Sequence, residues 1–196
     1  MSSSNSIFRS PAALLRFFGV NAVGLALDLW TKAYAFTHLC DGVERFPDGV
    51  VQVIDPREHR FLPGWLHFTA TTNQGAVFGL GQGKRWLFIA VSVAAIVFLT
   101  SLFARSRRQP WYQIILAMLL AGVLGNMFDR VTLGYVRDMI HALPRWPRLF
   151  PYIFNVADCL LCVGVGVMII HSLFVQPRRI SPPADALDSA QPRTHD

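Results

Sequence analysis

Followed for where its apolar residues run without interruption, the chain alternates between long hydrophobic stretches and polar, turn-rich segments. Crossing the hydrocarbon of a bilayer takes about 20 mostly apolar residues. Residues 86–104, 109–128 and 159–177 reach that length with no Lys, Arg, Asp or Glu. A fourth run, residues 17–36, has the length but carries Asp28 and Lys32 inside it. The pattern predicts an all-α membrane protein, a four-transmembrane-helix bundle with helices at about 14–36, 86–104, 110–129 and 156–175. Between the first two spans, residues 41–83 hold turn residues and then a Thr- and aromatic-rich run at 65–73, which favours strand and predicts a small extracytoplasmic β-sheet and loop segment. Residues 1–175 are expected to form a single domain. Residues 176–196, with Pro177, Pro182, Pro183 and Pro192 and few large apolar side chains, are expected to be a disordered cytoplasmic tail.

Composition agrees with lipid as the solvent: 53% of residues are hydrophobic and 15% charged, against roughly a quarter charged in an average soluble domain. Arg9 and Arg16 before the first run would also suit a secretory signal, but that run passes into Asp28 and Lys32 with no small-residue cleavage site, so it is read as helix one. A net charge of +6 would suggest a nucleic-acid partner in a soluble protein. Here the basic residues cluster at span ends, and no nucleic-acid partner is expected. Arg9, Arg16, Arg105, Arg107, Arg108, Arg178 and Arg179 fall on one side, which the positive-inside rule makes cytoplasmic, with both termini. Residues 37–85 and 130–151 then face outward. Cys40, Cys159 and Cys162 lack the spacing of a disulfide framework, and Cys159-x-x-Cys162 reads as small-residue helix packing. Neither a Gly-x-Ser-x-Gly elbow, a His-Glu-x-x-His pair nor a phosphate loop occurs, and no cofactor or metal is expected.

A charge at the centre of a bilayer costs about 2.5–3.5 kcal/mol on insertion scales, so each acid near a span needs a reason. Asp28 and Lys32 stand four apart on helix one, where they can neutralise each other as a structural ion pair. On helix three, Gly122, Gly125, Asn126, Asp129 and Arg130 recur at spacings that give one small, polar face, predicted to point into the bundle. Asp138 and Asp158 fall at the same membrane face, Asp138 in the outer connection and Asp158 at the start of helix four. Asp158 alone is accounted for by a helix N-terminus, which favours an acid. Two acids at one level are more suggestive, because a close carboxylate pair shares one proton and supplies a general base and a general acid together.

With these residues in view, the chain resembles the lipoprotein signal peptidases (signal peptidase II), four-span aspartyl proteases of bacterial inner membranes. Five segments are similar, in order: Asp28-x-x-x-Lys32, Asn73-Gln-Gly75-Ala76-Val-Phe78, Gly122-x-x-Gly125-Asn126-x-x-Asp129-Arg130, Val136-x-Asp138, and Phe154-Asn155-x-Ala157-Asp158. The connection from Lys32 to Asn73 is long against that pattern. The resemblance implies Asp138 and Asp158 as the catalytic dyad. Asn73, Gly75, Asn126, Arg130, Asn155 and Ala157 are then substrate-binding or dyad-supporting, and Asp28, Lys32, Gly122, Gly125 and Asp129 structural. It also implies an endopeptidase, expected as a monomer, that cleaves diacylglyceryl-modified prolipoproteins just before the lipidated cysteine. The implied setting is membrane lipid of the inner membrane, with the active site near the outer face and globomycin-type cyclic peptides as inhibitors. A rival of another class, a small transporter with an ion path through Asp28, Lys32, Asp129, Arg130, Asp138 and Asp158, predicts acids spread through the membrane depth. The dyad predicts Asp138 and Asp158 meeting at the outer interface.

Overall fold

The computed structural model describes residues 10–75, 83–106 and 109–174. Arg9, Ala76, Phe78, Arg107, Arg108, Arg178, Arg179 and the tail expected at 176–196 lie outside the described residues. Four helices form: α1 (Pro11–His38), α2 (Arg85–Arg105), α3 (Pro110–Thr132) and α4 (Val156–Phe174). All four are long and apolar enough to cross a membrane. Both α1 and α3 begin with Pro, whose fixed φ and missing N–H suit a first turn.

Packing follows from what each helix can hide. The third helix is the central one, touching α1, α2 and α4, and buries Leu116, Ala117 and Ala121 completely. Near the N-terminal ends of α1 and α3, Phe17 stacks on Phe103 at 3.9 Å within a cluster that includes Leu99, Ile115 and Leu116. Outward faces carry Val97, Phe98, Ile169, Ile170 and Leu173 exposed, while Asp28, Lys32, Asp129 and Asn155 are fully buried. That inversion of the soluble pattern fits a multi-pass membrane protein, in which polar groups must find partners inside the bundle.

The expectation of an all-α protein needs correction: the chain is mostly helical but also builds two antiparallel sheets. β1 (Gly42–Arg45) pairs with β2 (Val51–Ile54), and β3 (His59–Leu62), β4 (Leu66–Asn73), β5 (Val136–Ala142) and β6 (Ile153–Phe154) form a four-stranded sheet in that order. The sheet expected within residues 41–83 thus takes half of its larger part from beyond α3. Local pattern could not show this, since β5 gains its ladder from β4, with Thr71 opposite Asp138 and Asn73 opposite Val136.

The turn between α3 and β5 aims that strand. Gly134 sits at φ +89°, the left-handed conformation that ends many helices, and its N–H bonds to Asp129 O at 3.2 Å. Free carbonyls at this helix end receive guanidinium donors: Arg85 Nη2 reaches Val131 O at 2.8 Å and Arg45 Nη2 reaches Leu133 O at 3.1 Å.

Candidate active site

Asp158 is placed by the start of α4. Asn155 is the N-cap: its Oδ1 accepts the Asp158 N–H at 3.0 Å, while Asp158 Oδ2 accepts the Asn155 N–H at 3.2 Å. This reciprocal pair is a capping box, so the helix-end explanation for the acid is correct as far as it goes. The same asparagine extends further. Its Nδ2 donates to Asp138 Oδ1 at 2.6 Å, joining the two aspartates through one side chain. Asp138 Oδ2 accepts from Asn73 Nδ2 at 3.1 Å, and Asp158 Oδ1 accepts from Asn126 Nδ2 at 2.8 Å.

Three amides therefore present N–H groups to the carboxylates, and each is oriented by what lies behind it. Lys32 Nζ can only donate, and it lies 3.0 Å from Asn126 Oδ1, which leaves Asn126 Nδ2 for Asp158. Asn155 Oδ1 is occupied by the Asp158 N–H. Asn73 Oδ1 accepts the Gly75 N–H at 3.0 Å, which turns its Nδ2 to Asp138.

Behind the amides lies a neutral ionic core. Lys32 Nζ is 2.8 Å from Asp28 and 3.3 Å from Asp129, and Asp129 also binds Arg137 Nη2 at 2.7 Å. Asp28 Oδ1 accepts the Ala157 N–H at 2.8 Å, tying α1 to α4. Deleting one member of such a buried set strands a charge and costs about 3–5 kcal/mol. The predicted Asp28–Lys32 pair is present, but as part of a four-charge cluster. Arg137 carries no signal in the sequence beyond its place in the connection expected to face outward. Its partner Asp129 lies eight residues back across a helix end, a relation no helical or strand period marks. Asp138 and Asp158 meet on linked amides, and Asp28 and Asp129 stand behind them on the shared Lys32.

Gly122 and Gly125 permit this convergence. A Cβ on Gly122 would lie 2.6 Å from Ala157 O and 2.7 Å from Leu161 Cγ, so α4 could not approach α3 as closely with any side chain there. Arg130 crosses the site's edge, its Nη2 donating to Gly75 O at 2.9 Å and its guanidinium lying 4.9 Å from the Phe88 ring centroid.

Asp138, Asp158, Asn73, Asn126 and Arg130 line one cavity of about 940 Å³, walled otherwise mostly by apolar groups such as Val91, Ala95, Val123 and Leu161. Cys159 and Cys162 also line it, free of any disulfide. Burial, with the neighbouring Asp158 charge adding to it, pushes the Asp138 carboxyl from 3.8 up to about 7, against the pull of the Asn73 and Asn155 donors. Near neutral pH the pair can thus hold one proton beside an apolar cavity, an arrangement fit for acid–base chemistry.

Fold and site together define a multi-pass membrane protein with two amide-bound aspartates set against a largely apolar cavity. The family model described as signal peptidase (SPase) II matches residues 20–174. The lipoprotein signal peptidase of Enterococcus faecalis is 32% identical over 160 residues, covering 81% of this chain and 88% of that protein. That of Acinetobacter baumannii is 31% identical over 170 residues, covering 84% and 87%. Among solved structures, a bacterial membrane enzyme determined by the in meso method at 2.3 Å resolution is similar with a TM-score of 0.65 at 26% identity, covering 80% of this chain and 87% of that one. The chain belongs to the signal peptidase II family.

Proposed function

We propose that this lipoprotein signal peptidase is an aspartic endopeptidase in which Asp138 and Asp158 are the catalytic pair, hydrolysing the peptide bond before the diacylglyceryl-cysteine of prolipoproteins. The observation that carries the reading is the single asparagine, Asn155, that bonds both carboxylates at the wall of the cavity. Asp138 holds the proton near neutral pH and Asp158 is the base. Asp158 takes a proton from water as its oxygen attacks the scissile carbonyl, while the Asp138 hydroxyl donates to the carbonyl oxygen. Collapse of the tetrahedral intermediate breaks the C–N bond, the cysteine amine takes the proton held by Asp158, and Asp138 recovers its own.

The remaining residues support those two. Asn73, Asn126 and Asn155 keep the carboxylates apart in role and fixed in place, and Arg130 holds the Gly75 carbonyl while offering further donors to substrate backbone. The apolar walls suit a lipidated, hydrophobic signal peptide and exclude bulk water. Globomycin-type cyclic peptides would occupy this same cavity. The enzyme works as a monomer in the bacterial inner membrane, with cytoplasmic termini and the dyad near the outer face, as the Arg16 and Arg105 side of the bundle supports.

The test is cleavage of a diacylglyceryl prolipoprotein by purified Asp138→Asn and Asp158→Asn. Each variant is expected to fold and to lose processing altogether. Retained cleavage by either one refutes the assignment.

A further inference from the structure

Two features have no part in the chemistry above: the long outer segment holding β1 and β2, and Gln74, the unassigned position between Asn73 and Gly75. On either side of Asn73, Thr72 near the end of β4 and Gln74 just past it both reach the β1–β2 hairpin. Thr72 Oγ1 donates to Val51 O at 2.5 Å, Gln74 Oε1 accepts the Val51 N–H at 2.9 Å, and Gln74 Nε2 donates to Gly49 O at 2.8 Å. We infer that the β1–β2 hairpin is a bracket that holds the Asn73–Gly75 turn in its working geometry, with Gln74 as the positioning residue that couples the two. This rests on the dyad assignment and extends it.

The bracket is itself anchored on the helices that build the site. At its base Arg57 pairs with Asp41, and the Arg57 N–H bonds to Leu39 O at 2.8 Å just past the end of α1. At its first strand Arg45 holds Leu133 O beyond the end of α3. The hairpin is therefore referenced to the helices carrying Lys32 and Asn126, and Gln74 transfers that reference to β4. Val51 is buried at the junction, so its N–H and carbonyl need these side-chain partners.

What is transferred is the direction of one amide. Asn73 Oδ1 holds the Gly75 N–H in an Asx-type turn, and only in that pose does Nδ2 face Asp138. Gln74 supplies both peptide planes of that turn. With its side chain released, the turn keeps Arg130 on the Gly75 carbonyl but loses its own tether to the hairpin, leaving only Thr72, on the strand before it, bonded to Val51. Removing the Asn73 donor favours protonated Asp138, since a donor stabilises the carboxylate form. Asp138 also feels Asp158 from α4, Arg130 from α3 and Lys32 from α1, none of which the change touches.

The experiment compares full-length parent, Gln74→Ala, Gln74→Glu, Arg45→Ala and the Gln74→Ala/Arg45→Ala double variant on a diacylglyceryl prolipoprotein. Gln74→Ala is expected to lower kcat by about tenfold to 100-fold, the scale of a misplaced catalytic group, with KM unchanged and the alkaline limb of the rate profile moved to higher pH. Gln74→Glu keeps the acceptor for the Val51 N–H and recovers part of the rate, and the double variant loses less than the product of the single losses. Parental kcat in Gln74→Ala, a loss with no movement of the pH profile, or a loss that follows the thermal midpoint overturns the inference. If Gln74→Ala does not fold, the pH profile of Gln74→Glu decides by the same criteria. Cleavage surviving in Asp138→Asn would instead remove the dyad, whatever Gln74 does.

Discussion

The proton on Asp138 is the smallest unit on which the proposed mechanism depends. Burial raises its carboxyl from 3.8 to about 7, so the folded state binds that proton more tightly than the unfolded chain. The stabilisation is complete below the ordinary value and is lost as pH rises through about 7. If one proton on the pair is required, kcat/KM falls above about 7, on the alkaline side of its profile. A rate profile of the parent and thermal midpoints of parent and Asp138→Asn from about pH 4 to pH 8 check both statements: the Asn variant should lack the parent's loss of stability across that interval. Asp138 and Asp158 stood out in the sequence because charge beside an apolar span demands a reason. Arg137 and Gln74 did not, because their partners Asp129 and Val51 are brought to them by a helix end and a hairpin and not by any local period.

At the scale of elements, the four helices were legible almost to their ends, since lipid exposure forces long uncharged runs. The polar face of α3 was equally legible, and Gly122 shows why it must be small. A methyl group there would lie 2.6 Å from Ala157 O, a contact only a shift of α4 can relieve. Gly122→Ala should destabilise the fold by about 1–3 kcal/mol, the usual cost of overpacking. Because α4 begins with the Asn155–Asp158 box, the same shift should reduce cleavage; thermal unfolding and activity measured on one preparation test the two together. Strand β5 was not legible as part of a sheet. Its seven residues include Arg137, Asp138 and His141, and only pairing with β4 makes them a strand.

The whole molecule is a bundle with apolar side chains outward and Asp28, Lys32 and Asp129 buried within it, capped at one end by the two sheets. Its proposed orientation puts the β1–β2 turn outside and the α2–α3 connection inside. In an otherwise cysteine-free protein in intact cells, Asp48→Cys should react with a membrane-impermeant thiol reagent, and Gln109→Cys should react only after permeabilisation. The reverse pattern would invert the topology. Sequence by itself determined the number of spans, the inward polar face and the acids that needed a reason, because each follows from the cost of placing charge or backbone in hydrocarbon. Tertiary structure alone decided that Asn155 serves both aspartates, that Lys32 orients Asn126, and that the β1–β2 hairpin grips Gln74. Those are contacts between residues far apart in the chain, and their directions are set by which donor remains once every buried acceptor has been satisfied.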